Sequence, residues 1–192
     1  MTDTSQLAIL RQEHELAIAL LASLQEQVRA LASSSSASPS SADCQAQLSQ
    51  LRSAMLLHFR IEEEGLYPDV KRIAAEGAPK VDILTAFFGD ESDDDLKAHT
   101  LLRARLREAA GVFDQAQAGG MSRELASRLG NTLEMTHDLL NRHASKETTL
   151  IFPLVERLLG AAQRAAVEEK MWSLRQSAKA HLGQSPDRGR CV

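Results

Sequence analysis

The sequence predicts an all-α protein, an antiparallel up-down four-helix bundle with an additional C-terminal helix. Three observations predict it. Leu, Ala, Glu, Gln and Arg dominate, while aromatics number one Trp, one Tyr and five Phe, a vocabulary that favours helices over sheets. Apolar residues recur at 3-4 spacing through several long windows, as they do on the buried face of a helix. Between those windows lie Ser/Pro-rich and Gly-rich breaks at which the chain can reverse. At 192 residues the chain suits one domain with a real core and is short for two. Residues 1–182 are expected to form that domain and 183–192 a disordered tail.

The first helix carries Leu7, Leu10, Ala17, Leu21, Leu24, Val28 and Leu31 on one face, and Thr4 or Asp3 can serve as its N-cap. One position on that stripe is polar, His14. Residues 33–42 lose all periodicity, and their Ser and Pro content predicts a flexible loop. The second helix starts near Ser41 or Asp43 and runs through Leu48, Leu51, Met55, His58, Glu62 and Leu66, its inward face changing from apolar to His and Glu. Pro68 lacks the N–H that would bond back to Glu64, so this helix must kink or end there before a further turn or two. An irregular segment with an apolar centre, Val81 to Phe88, is expected to cover one end of the bundle. Ser92 to Asp95 has the form of a capping box for a third helix bearing Leu96, His99, Leu102, Leu106, Ala109 and Phe113, which should end near Gly119-Gly120. Ser122 begins the fourth, with Leu129, Leu133, Thr136, Leu140, His143, Glu147 and Leu150 on its stripe. A last amphipathic stretch, 161–182, is expected to pack outside the bundle or against a partner, as in a homodimer.

Composition excludes several classes of function. A net charge of −4 with both signs interspersed gives no basic field to neutralise phosphates, so nucleic acid is not an expected partner. Cys44 and Cys191 form no Cys-x2-Cys pairing, which suggests neither a thiolate metal site nor a disulfide framework and fits a reducing cytoplasm. The N-terminal residues lack the basic and apolar regions of a signal peptide, and no apolar run approaches the roughly 20 residues of a membrane span.

The chemistry is carried by a repeat. His58-x3-Glu62 followed by Leu66-Tyr67-Pro68 recurs as His143-x3-Glu147 followed by Ile151-Phe152-Pro153. The offset is 143 − 58 = 85, and 99 − 14 = 85 carries His14 onto His99. Helical residues four apart leave the same face about 40° apart around the axis, so each His-x3-Glu is a preformed N,O pair. Buried imidazoles and carboxylates are costly without partners, and a metal would resolve that cost. A lone histidine on an apolar face is more often a core residue than a ligand, and a single His-x3-Glu is as often a surface pair. Their duplication in register favours the metal site, with His14, His58, Glu62, His99, His143 and Glu147 as candidate ligands. Four nitrogens with two carboxylates suit iron, manganese or zinc, and two carboxylates that can bridge make two ions more natural than one. His137 lies about 120° off the His143 face and reads as peripheral, His181 as incidental, and Glu63 and Glu64 as a solvated face or an outer layer around the site.

At these residues the sequence resembles the hemerythrin-like, or HHE cation-binding, family. The likeness covers roughly Gln6 to Leu158 and includes the Leu-Tyr-Pro and Ile-Phe-Pro closings. It implies an antiparallel four-helix bundle around a non-haem di-iron centre, with Glu62 and Glu147 bridging two iron ions and the four histidines as terminal ligands. The oxygen carriers of the family have a second histidine where this chain has Arg103, and end on His-x4-Asp where this chain has Thr148. The resemblance therefore points to the branch concerned with iron sensing, nitric oxide response or repair of iron centres, with O2, NO or peroxide as the ligand. An iron-responsive interaction protein is the alternative, and reversible oxygen storage ranks third.

Overall fold

The computed structural model describes residues 5–32, 40–75 and 93–183. Among them every regular element is helical: α1 (Gln6–Ala32), α2 (Ser41–Arg60), a π-helical segment π1 (Ile61–Leu66), α3 (Tyr67–Ala75), α4 (Asp93–Gly119), α5 (Arg123–Lys146), a second π-helical segment π2 (Glu147–Ile151), α6 (Phe152–Leu158) and α7 (Ala161–Gly183). The expected apolar segment Val81 to Phe88 and the tail beyond Gly183 lie outside the described residues. So do Ser92, most of the 33–42 loop, and the side chains of Asp93 to Asp95 and His181.

Local chemistry sets the helix ends. Ser5 accepts the N–H of Ala8 at 3.2 Å through its hydroxyl; the expected caps Thr4 and Asp3 lie outside the described residues. Ser40 and Ser122 cap α2 and α5 in the same way, accepting from Asp43 and Leu125, each at 3.1 Å, and so satisfy donors that have no intrahelical partner. Gly120 ends α4 with φ of 84°, a left-handed conformation that costs glycine no steric penalty.

α1 packs on α2 and α5, and α4 on α2 and α5, which closes a four-membered ring. His14 and His99 lie near the starts of α1 and α4, His58 and His143 near the ends of α2 and α5, and all four meet at one level. Neighbouring helices are therefore antiparallel. One apolar cluster, including Leu21, Leu24, Leu51, Phe59, Leu106, Phe113 and Leu133, fills the bundle on one side of that level. A second, including Leu10, Ile61, Leu66, Phe152, Val155 and Met171, closes it on the other. Among the described residues no helix is long and apolar enough to cross a membrane.

The chain does not stop at its prolines. The N–H of Tyr67 bonds to the carbonyl of Glu62, and that of Phe152 to the carbonyl of Glu147, five residues back instead of four. Each wide turn inserts one residue and restarts the helix, so Pro68 and Pro153 fall in its first turn, where a missing N–H costs nothing. Each π segment contains one glutamate of the repeat near its start, Glu62 second in π1 and Glu147 first in π2.

α7 lies across π1. A Cβ on Gly65 would stand 2.9 Å from Cγ of Met171 and 3.3 Å from Cδ1 of Leu174, so glycine at this position is what admits the close approach.

Candidate metal centre

The six candidate ligands converge. His14, His58, His99 and His143 are at most 3 % exposed, and Glu62 and Glu147 are fully buried. Ligand atoms of His14, His58, Glu62, His143 and Glu147 all lie within 4.8 Å of one another. His99 stands just outside that set, its Nε2 3.2 Å from both His143 Nε2 and Glu62 Oε2. On the other side His58 Nε2 is 2.8 Å from His14 Nε2 and 2.9 Å from Glu62 Oε1. The histidines thus form two pairs, His14 with His58 and His99 with His143. Glu62 turns one oxygen to each pair. Glu147 Oε2 lies 3.3 Å from His14 Nε2 and 3.5 Å from His143 Nε2, while its Oε1 accepts the Tyr67 hydroxyl.

Without a metal, protons occupy this layer. Burial disfavours a charged His58, yet Glu62, followed by Glu13, outweighs it and raises the ring to about 9. Burial and then the charge of His58 push His14 down to about 3, so His14 is the neutral acceptor of the His58 Nε2–H. Its own proton then sits on Nδ1, which is buried with no hydrogen-bond partner. Burial likewise opposes charge on Glu62, but His58 and His99 hold its carboxyl well below the usual range. His58 and His99 stand 2.9 and 3.2 Å from the Glu62 oxygens, yet neither buried oxygen has a hydrogen-bond partner of good geometry. Such orphaned charge in an apolar interior is expensive. A cation set among the Nε2 atoms and carboxylate oxygens would satisfy it, so the donor set fits a metal.

An outer layer orients the rings. His58 Nδ1 donates to Glu13 Oε2 at 2.9 Å, and Glu13 is gripped by both terminal nitrogens of Arg175. His99 Nδ1 donates to Glu63 Oε1 at 2.8 Å, and Glu63 is gripped by Arg103 at 2.8 and 2.9 Å. Burial opposes ionisation of Glu63, but His99 and Arg103 bring its carboxyl down to about 2. A carboxylate on Nδ1 fixes the tautomer and leaves Nε2 pointing into the centre. Arg103, standing where the oxygen carriers have a histidine, is thus committed to Glu63. Glu64 instead pairs with Arg60 at the surface. His137 is half-buried against Asn141 and stands apart from the centre.

Aromatic rings complete the layer. Tyr67 stacks on His99 with centroids 6.0 Å apart and 16° between planes, and Phe152 stacks on His14 at 6.3 Å and 11°. From outside, a cleft of about 310 Å³ lined by Lys97, Ala98, Leu101, Leu139, Arg142 and Lys146 reaches His143.

Glu13, Arg175 and Tyr67 are the functional neighbours that sequence reasoning missed or left without a role. Glu13 adjoins His14 but lies off its apolar stripe, and Arg175 is polar on a helix read for its apolar face. The shared aromatic-Pro closing was the signal for Tyr67.

A family model described as the hemerythrin HHE cation binding domain matches residues 5–155. Comparison with curated proteins gives no match.

Proposed function

Because the chain belongs to the hemerythrin HHE cation-binding family, whose membership implies a metal-binding helical protein with His and Glu ligands, we propose that His14, His58, His99, His143, Glu62 and Glu147 hold two iron ions. The protein then binds or reacts with O2, NO or peroxide, in sensing, detoxification or the response to iron-centre stress. The observation that carries this reading is the split of Glu62, with Oε1 2.9 Å from His58 and Oε2 3.2 Å from His99. One carboxylate spanning two histidine pairs supports two adjacent metal positions, and Glu147, between His14 and His143, supports the same spacing. Iron is favoured over manganese or zinc by the family's chemistry, the mixed nitrogen and oxygen set being suited to all three.

When bound, an iron pair supplies electrons and an open coordination position for a small ligand. The chain supplies the rest. Glu13 and Glu63 aim two rings, the Tyr67 hydroxyl holds Glu147, and the apolar clusters above and below keep bulk water from the layer. The cleft at His143 gives a small molecule a route inward. With Arg103 engaged by Glu63, a fifth histidine ligand is absent at that position, which weighs against reversible oxygen storage.

The test is the ultraviolet-visible spectrum of iron-loaded protein, reduced and then exposed separately to O2, NO and peroxide. New charge-transfer bands with at least one of these ligands are expected; an iron-loaded protein whose spectrum ignores all three would refute the reading. A second reading, an iron-responsive interaction protein whose bundle is stabilised by metal, is favoured by Trp172, 46 % exposed on α7. If Trp172→Ala leaves the oligomeric state and every partner unchanged, that reading fails.

A further inference from the structure

α7 lies beyond the residues that the family model matches, so membership gives it no part in the centre. It nevertheless reaches the centre through one side chain. Arg175, 7 % exposed, donates from Nε to Gln6 Oε1 at 2.9 Å, from Nη2 to Glu13 Oε2 at 3.0 Å, and from Nη1 to Glu13 Oε1. Glu13 accepts from His58 Nδ1 at 2.9 Å. A guanidinium fork fixes both the place and the plane of a carboxylate, which a single ammonium does not. The fixed carboxylate in turn fixes the ring and the direction of its Nε2.

Two further observations tie this contact to the packing of α7. Met171 and Arg175 are four residues apart and share one face of that helix, and Met171 is the side chain seated on Gly65. The close approach at Gly65 therefore sets the distance over which Arg175 reaches Glu13. Across the bundle Arg103 grips Glu63, which accepts from His99. Each histidine pair thus has one ring held by an arginine-carboxylate unit. One unit lies wholly inside the matched residues, and the other is completed by α7.

We propose that Arg175 is a positioning residue of the metal centre: acting through Glu13, it fixes His58 for the metal position shared with His14, so that tight binding there requires α7 to be docked. This rests on the reading of the six buried residues as a metal centre.

The test is a double-mutant cycle in the full chain, with Arg175→Met, Glu13→Ala and the pair, each checked for helicity and titrated with Fe(II) under anaerobic conditions. Arg175→Met is expected to weaken the first or second binding step by about 10- to 100-fold, the usual cost of losing an outer partner of a ligand. In the Glu13→Ala background the same change should cost no more than about 2-fold, because coupled residues are not additive. Trp172→Ala, on the exposed face of α7, should bind as wild type. Equal losses from Arg175→Met with and without Glu13, or wild-type affinity in Arg175→Met, would overturn the proposal. The His58 ring nitrogens, followed by NMR in the metal-free chain, separate this failure from that of the metal reading. If wild type binds no iron, the metal reading falls alone provided Arg175→Met still shifts the His58 Nδ1–H signal, which reports its hydrogen bond to Glu13. If that signal is unchanged, the positioning role falls as well.

Discussion

The two halves of the repeat agree in what faces the centre and differ in what surrounds it. Glu62 Oε2 stands 3.2 Å from His99 and Glu147 Oε2 3.3 Å from His14, and Tyr67 and Phe152 stack on the same two rings at nearly equal distance and tilt. Outside that layer the correspondence ends. Glu13 and Glu63, which hold His58 and His99, both belong to the first half; 85 residues on stand Ala98 and Thr148, neither a carboxylate. Tyr67 carries a hydroxyl to Glu147, and Phe152 has none to offer Glu62. Gly65 lies beneath α7, whereas its counterpart Leu150 is 46 % exposed. The inner layer answers to one chemistry and is kept twice. The outer layer answers to whatever packs on it, and α7 lies across π1 of the first half.

Substitutions that remove or equalise these differences rank by expected effect. Glu62→Ala strikes the shared inner layer, and is expected to abolish one metal position and weaken the other by more than about 100-fold, beyond the loss typical of an outer partner. Metal content after gel filtration measures it, and full occupancy would refute the spanning role of Glu62. Tyr67→Phe makes the first half like the second by deleting the donor to the buried Glu147, at a cost of about 1.5–3 kcal/mol for a hydrogen bond to a charged group. Denaturant unfolding that moved by less than about 0.5 kcal/mol would show the hydroxyl to be idle.

Gly65→Leu copies the counterpart residue into the covered half and should lift α7 at a cost of about 1–3 kcal/mol from overpacking. Leu150→Ala, on the uncovered half, should stay within about 0.5 kcal/mol. Equal effects at the two positions would mean that α7 does not distinguish the halves.

Within one histidine pair the difference is one of pH. A ring whose folded pKa is raised from 6.5 to about 9, as for His58, contributes stability that is complete below 6.5 and is lost as pH rises through 9. His14, lowered to about 3, contributes stability that is present above 6.5 and is lost as pH falls toward 3. The thermal midpoint of the metal-free chain should therefore peak near pH 6.5. Bound metal requires both rings neutral, so metal affinity should instead climb from pH 6.5 to 9. Parallel pH profiles for the metal-free and loaded forms would contradict this assignment of charge.

Much of this was legible in sequence because it is local. The 3-4 spacing marks the buried faces of the helices, and His14 and His99 are visible as polar residues on apolar stripes. Leu150, expected on the same stripe as His143, is instead 46 % exposed, because π2 inserts a residue and shifts the register there. The 85-residue offset joins them to the two His-x3-Glu pairs before any contact is known. The π turns were not read, since Pro68 and Pro153 argue for a kink or an end. Their signal was the constant spacing from Glu to Pro, which places each proline at the start of a restarted helix. Gly65 was not singled out: a glycine inside a helical pattern costs about 1 kcal/mol and so signals a close neighbour, but the pattern does not say which. Glu13 and Arg175 were beyond reach: their contact spans 162 residues and depends on how α7 crosses π1, which no local pattern encodes.

The proposed centre is one buried layer, spanned by Glu62 and Glu147, that would hold two irons. Iron analysis combined with Mössbauer spectroscopy of protein loaded anaerobically and then oxidised tests it most directly. About two irons per chain with a spin-coupled signature are expected of a carboxylate-bridged pair. A single uncoupled iron, one zinc in its place, or a chain that stays metal-free would contradict it.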